Sequence, residues 1–168
     1  MRRARAFTLV EILIVVVLLG VLAAIVVPSI ANSGSLARES TLLTNVRLLR
    51  RFIPVYTSHH LEVAPGYPNG DPTAVPTYLV FRNQAVMSSN IQGQTAPRGT
   101  PGFGFGPYLS KLPANPFNKL DTIEMLPNGQ NFPAAADNSH GWIYRAETQE
   151  IRPDNTGVDE SGKAYYDY

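Results

Sequence analysis

One run of residues limits what this chain can fold into. Between residues 7 and 30 the only charged side chain is Glu11, and after Phe7 the rest is Leu, Ile, Val and Ala, broken by Thr8, Gly20, Pro28 and Ser29. A helix rises about 1.5 Å per residue, so a stretch of this length reaches across a hydrocarbon core of roughly 30 Å. Arg2, Arg3 and Arg5 precede the run, and the next basic residue is Arg38. That asymmetry predicts a cytoplasmic head and a membrane-spanning helix, with the remaining chain on the far side.

Glu11 is the exception inside this run. A carboxylate at the mouth of a membrane helix is costly unless it has a partner. One candidate is the positive end of the helix dipole, since Glu11 sits at the first turn. A second arises if the chain is cut between Ala6 and Phe7, which creates a cationic amine one helical turn earlier and removes all the leader arginines. Two plainer readings compete. A secretory signal could be cut at Ser29-Ile30-Ala31, but the run is longer than such signals need, and an acidic residue serves no purpose in a discarded segment. An uncleaved anchor suits the same flanks.

Residues 5–28 resemble the class III signal of type IV pilins and type II secretion pseudopilins: a short basic leader, a small residue, then Phe7-Thr8-Leu9-Val10-Glu11 and an apolar helix. The family usually has Gly before the cut where this chain has Ala6, the closest steric substitute. The resemblance implies that a membrane-embedded aspartyl prepilin peptidase cuts after Ala6 and N-methylates Phe7. It also implies that Glu11 pairs with the Phe7 amine of a neighbouring subunit as a helical filament assembles. In such filaments the helix loosens between positions matching Gly20 and Pro28, which suits a poor helix former and a residue without a backbone N–H.

The chain then divides into a leader (1–6), a transmembrane and assembly half-helix (7–30), an amphipathic half-helix (31–57) and a periplasmic head (58–168). Leu42, Val46, Leu49 and Ile53 share one helical face, flanked by Leu43 and Phe52, while Arg38, Glu39, Asn45, Arg47, Arg50 and Arg51 take much of the other. Asn32-Ser33-Gly34-Ser35 softens the helix, and Pro54 predicts a kink or an end between about residues 53 and 58. His59 and His60 then open an exposed loop. Tyr67-Pro68-Asn69-Gly70-Asp71-Pro72 reverses the chain, and residues 75–91 hold a short helix. Residues 92–106 read as a surface loop anchored by two aromatics. Its Gly102-Phe103-Gly104-Phe105-Gly106 lacks the Lys-Ser or Lys-Thr of a phosphate loop.

Residues 106–118 resemble the Tyr-Leu…Leu-Pro-x-(Asp/Asn)-Pro-(Trp/Phe) segment that leads into the sheet of major pseudopilins, with Tyr108, Leu112 and Phe117 covering one side of a core. Strands are expected at 121–125 and in a hairpin, with 141–144 and 150–153 joined by the five residues 145–149. The polar tail reads as a loop or a short docking strand. The fold class is α+β: a pilin-like fold, with a long N-terminal helix packed on a small antiparallel sheet and a loop-rich C-terminal region.

A net charge of +1 provides no field for nucleic acid. The absence of Cys excludes a disulfide framework and thiol chemistry. Adjacent His59 and His60 diverge, so no metal site is assigned to them and His140. No histidine stands near a plausible nucleophile in the sequence, and no catalytic residue is assigned. Major pseudopilins, which the chain resembles, hold calcium in a C-terminal loop. Asp137, Asp154, Asp159 and Glu160 carry suitable oxygens, but the family's local ligand pattern is not recognisable, so no cofactor is assigned.

The resemblance therefore implies a structural subunit of a type II secretion pseudopilus in the inner membrane. Its partners would be the prepilin peptidase, further copies of itself, other pseudopilins, the assembly platform and the lipid bilayer. The alternatives are a type IV pilus subunit for adhesion, motility or DNA uptake, and a membrane-anchored binding domain that never polymerises. The lack of a C-terminal disulfide and the Leu112-Pro113-Ala114-Asn115-Pro116-Phe117 segment favour secretion.

Overall fold

The computed structural model describes residues 8–168, with the side chains of residues 26–33 outside that description. The chain divides into two compact units at Arg38/Glu39. One helix, α1 (Leu9–His59), contributes to both. Its backbone is continuous through Gly20, Pro28 and the soft Asn32–Ser35 stretch.

In the first unit the described apolar side chains of α1, residues 9–25, are all exposed, from Leu9 at 83% to Ile12 at 52%. No helix among the described residues is long and apolar enough to cross a membrane. The described side chains stop at Ile25, so they cover only part of the segment expected to span.

The second unit is built on the amphipathic part of α1. Leu42, Val46, Leu49, Phe52, Ile53 and Tyr56 are buried along one face, as the spacing predicts. The helix continues past Pro54 to His59. Proline there removes one hydrogen bond to Arg50, but Ile53 and Tyr56 on either side are anchored in the core, so packing carries the helix another turn.

After a 3-10 turn at Pro68–Gly70 comes α2 (Tyr78–Val86), started by the Thr77 hydroxyl accepting the Val80 N–H. Part of the stretch expected as a surface loop instead pairs, in a small ladder, with the residues that follow α2. β1 (Ser88–Ser89) pairs antiparallel with β2 (Thr95–Ala96), and Ser89 bridges to Phe105.

The main sheet has the order β3 (Ile123–Leu126), β4 (Trp142–Arg145), β5 (Glu150–Pro153). β4 and β5 form the expected hairpin, with Trp142 opposite Pro153 and Arg145 opposite Glu150. Arg145 joins the strand, so the connection is the four residues 146–149, with Gln149 at φ +59°. The expectation of an antiparallel sheet is corrected at β3, which runs parallel to β4 with Ile123 opposite Trp142. A parallel neighbour needs a long connection, and residues 127–141 supply it. Gly141 enters β4 where a Cβ would collide with the carbonyl oxygen of Leu120.

Both faces of the sheet are covered. Trp142, Tyr144 and Ile151 join the α1 stripe, Phe81, Leu109 and Leu112 in one core, while Leu126, Ile143 and Tyr166 form a second. The tail runs as a loop with a single Val158–Ala164 bridge and closes in a 3-10 turn, Tyr165–Asp167, which sends Tyr165 into the first core and Tyr166 into the second.

Candidate assembly site

At the start of α1, Thr8 and Glu11 satisfy each other. The Thr8 N–H and hydroxyl donate to Glu11 Oε2 at 2.9 and 3.0 Å, and the Glu11 N–H donates to Thr8 Oγ1 at 3.2 Å. This is a capping box, Thr at the N-cap and Glu three residues later, which pairs two backbone donors that a helix start leaves open. Sequence reasoning offered the dipole and the Phe7 amine as partners for Glu11 and missed this one, although Thr-x-x-Glu before an apolar run is its signature. Both bonds use Oε2; Oε1 accepts none among the described residues. Ala6 and Phe7 lie outside the described residues, as does the side chain of Pro28. Gly20 is helical, and a Cβ there would meet nothing within 4 Å.

At the other end of α1 the two histidines are not an exposed loop. His59 closes the helix; it is exposed, with Nδ1 3.0 Å from Tyr108 Oη and its ring stacked on Phe105. His60 is 2% exposed. Its ring lies flat on Tyr56 at 3.8 Å, its Nδ1 is 2.7 Å from the Tyr56 carbonyl oxygen, and its Nε2 is 2.9 Å from Ser89 Oγ. Burial holds the imidazole below its ordinary pKa, with the Tyr56 carbonyl opposing the shift. The hydrogen bonds make His60 the pin between α1 and β1.

Contrary to the sequence reading, two histidines stand beside serine hydroxyls. Ser89 is wholly buried under His60, which leaves no path for a substrate. Ser139 Oγ lies 2.8 Å from His140 Nδ1, but Asp154 accepts from the His140 backbone N–H and from Ser139 itself. A relay needs the carboxylate on the imidazole's other nitrogen.

Of the four candidate calcium ligands, Asp137 and Asp154 lie against each other on one turn, and each of the two is engaged by hydrogen bonds from that turn. Asp154 is fully buried, and its oxygens accept the backbone N–H groups of Asp137, Asn138 and His140 at 2.8–3.1 Å. Asp159 accepts from Ser161 Oγ, Tyr168 Oη and the N–H groups of Ser161 and Lys163, and these bonds hold it well below the usual carboxylate range. Asp137 closes a turn on Ser139, and Glu160 is exposed. No group of three or more His, Asp or Glu side chains among the described residues is arranged to hold a metal. Tyr168 ties the tail to α1: its hydroxyl meets Glu39 Oε1 at 3.0 Å, and Arg50 donates to its carbonyl oxygen and to that of Ile151.

Comparison with known proteins matches residues 1–27 to the family model described as the prokaryotic N-terminal methylation motif. Curated relatives include the type II secretion system core protein G of Pectobacterium carotovorum subsp. carotovorum, 26% identical over 83% of this chain and 85% of the relative. The core protein G of Escherichia coli K12 is 27% identical over 68% of each chain, and that of Klebsiella pneumoniae 25% over 78% and 80%. No solved structure matches. The likeness to the type II secretion core G proteins runs well beyond the methylation motif, so the chain carries a prepilin-type N-terminal methylation motif and resembles the major pseudopilins along most of its length.

Proposed function

We infer that this chain is a structural subunit of a type II secretion pseudopilus. The observation that carries the inference is the methylation motif, a leader and Phe7-Thr8-Leu9-Val10-Glu11, standing at the mouth of one helix that also forms the spine of the head. Prepilin peptidase cuts after Ala6 and N-methylates Phe7. The subunit waits in the inner membrane, held by its N-terminal helix, with its N-terminus cytoplasmic and its head periplasmic. Glu11 keeps Oε2 on Thr8 and offers Oε1 to the Phe7 amine of the next subunit, because a carboxylate leaving the bilayer for a filament core needs a cation. The segment from Gly20 to Pro28 loosens as the subunit joins. The work is mechanical: subunits added at an inner-membrane platform, alongside other pseudopilins, push the fibre outward against secreted cargo.

Intact mass and N-terminal sequencing of protein from membranes containing the native peptidase test the reading. A chain beginning at N-methylated Phe7 supports it. A chain beginning at Met1 favours an uncleaved anchor, and one beginning near Asn32 a secretory signal. In the same cells Glu11→Ala remains membrane-inserted but assembles poorly; normal filaments from that variant overturn the mechanism.

A further inference from the structure

The outer side of α1 within the head carries charge that its own chain leaves unanswered. Arg47 and Arg51, four residues apart and so on one helical face, are both exposed, and neither bonds to a carboxylate or carbonyl among the described residues. Arg50 differs, being occupied by Ile151 and Tyr168. Leu48 and Val55 on the same side remain 41% and 40% exposed. With Phe52, Tyr108 and Leu109 they line a groove of about 310 Å³ that Arg51 borders. An apolar floor edged by arginine has the composition of an association surface.

The loop after β5 has the opposite character. Val158 is 56% exposed, and Glu160 and Asp167 are exposed carboxylates that enter no ion pair among the described residues. Asp159, next to Glu160, is consumed by Ser161, Lys163 and Tyr168.

We propose that the Arg47, Leu48, Arg51 and Val55 stripe docks onto the Val158, Glu160 and Asp167 loop of a second copy of this chain. The proposal rests on the subunit reading above and names the surface that reading leaves open. Two unlike patches of one chain meet head to tail, and such a contact propagates as a helix instead of closing into a two-fold dimer. The apolar side chains supply the contact area, while the arginine–carboxylate pairs set register and make assembly sensitive to salt.

The test uses the full chain with its native assembly machinery and counts filaments. Arg47→Glu with Arg51→Glu, or Glu160→Arg with Asp167→Arg, is expected to lower filament yield by about tenfold, and combining all four restores it to within about twofold, as interacting pairs require. All four sites are exposed, so unfolding of the head stays as in the unmodified chain. The chain has no Cys, so Leu48→Cys with Val158→Cys gives a second readout: oxidation of filaments yields a ladder of linked chains. Normal filaments from either charge-reversed pair, no recovery in the combined variant, or filaments without the disulfide ladder overturn the docking surface and leave the assembly reading standing. Absence of filaments from the unmodified chain overturns both.

Discussion

His60 lies flat on Tyr56, ring centroids 3.8 Å apart and planes within 8° of parallel, while its two nitrogens reach the Tyr56 carbonyl oxygen and Ser89 Oγ. The arrangement suits a neutral ring that donates through Nδ1 and accepts through Nε2. A second proton would leave Nε2 donating to a hydroxyl beneath a buried charge.

Acidification should therefore loosen the head. The folded pKa of His60 lies below its ordinary 6.5 because of burial, so the unfolded chain binds the extra proton first. Stability tied to His60 is full above that ordinary value and falls as pH drops through the window toward the folded pKa, where it levels off. Thermal unfolding of the head between pH 7.5 and 5 checks this, with His60→Gln as the control that flattens this part of the profile. The titratable groups facing the ring are His59, Tyr56 and Tyr108. An unchanged slope in His60→Gln would assign the effect elsewhere.

Asp154 should be the most damaging acidic residue to lose. Its carboxylate answers three backbone N–H groups from the loop before β4. Asp154→Ala orphans these part-buried donors and is expected to cost about 3 kcal/mol, given 1.5–3 for a bond to a charged group. Asp154→Asn keeps one acceptor oxygen and should fall between. Denaturant unfolding of the three proteins measures the order; equal stabilities would remove the carboxylate from the account of the fold.

Much of this architecture was legible and some was not, for identifiable reasons. The Leu42, Val46, Leu49, Ile53 stripe is a pure 3.6-residue signal, and the hairpin around β4 and β5 follows from local alternation. Strand signals carry no direction, and residues 127–141 contain no element to reveal a crossover, so the parallel pairing of β3 was invisible. The local sequence of Trp142, Ile143 and Tyr144 does not reveal that both faces are buried, because the second core is assembled from Leu126 and Tyr166, far along the chain. His60 looked exposed for the same reason: Ser89, its partner, is 29 residues away. The capping box was local and was missed because Glu11 invites an explanation by charge before one by hydrogen bonding.

Replacing Gly141 should destabilise the sheet. A Cβ at this position collides with the backbone carbonyl of Leu120, and backbone cannot swing aside as a side chain end does. Gly141→Ala is expected to cost about 1–3 kcal/mol, as overpacking does, and more if the Gly141 N–H loses Thr122 O, now 3.0 Å away. Circular dichroism and unfolding of the head read the loss. Gly20→Ala is the contrasting case: its Cβ meets nothing within 4 Å, so the isolated chain should gain helix stability, by about 1 kcal/mol, and any harm should appear only in assembly.

Thr8 should matter through Glu11. With its hydroxyl removed, Thr8→Val leaves the Glu11 N–H without its acceptor and frees Glu11 Oε2 from one of its two donors. The first turn of α1 should then fray, at a cost of about 1 kcal/mol, typical of a lost N-cap, seen as faster amide exchange over residues 9–12 in detergent. Thr8→Ser retains both roles of the hydroxyl and should behave as the unmodified chain. If Glu11 acts on the next subunit through the oxygen that Thr8 leaves open, Thr8→Val misaims the carboxylate without discharging it. Filament yield should then drop less than in Glu11→Ala while membrane insertion is unchanged. Equal loss in the two variants would mean that Thr8 has a part in assembly beyond orienting Glu11, and no loss in Thr8→Val would confine the capping box to the folding of the helix.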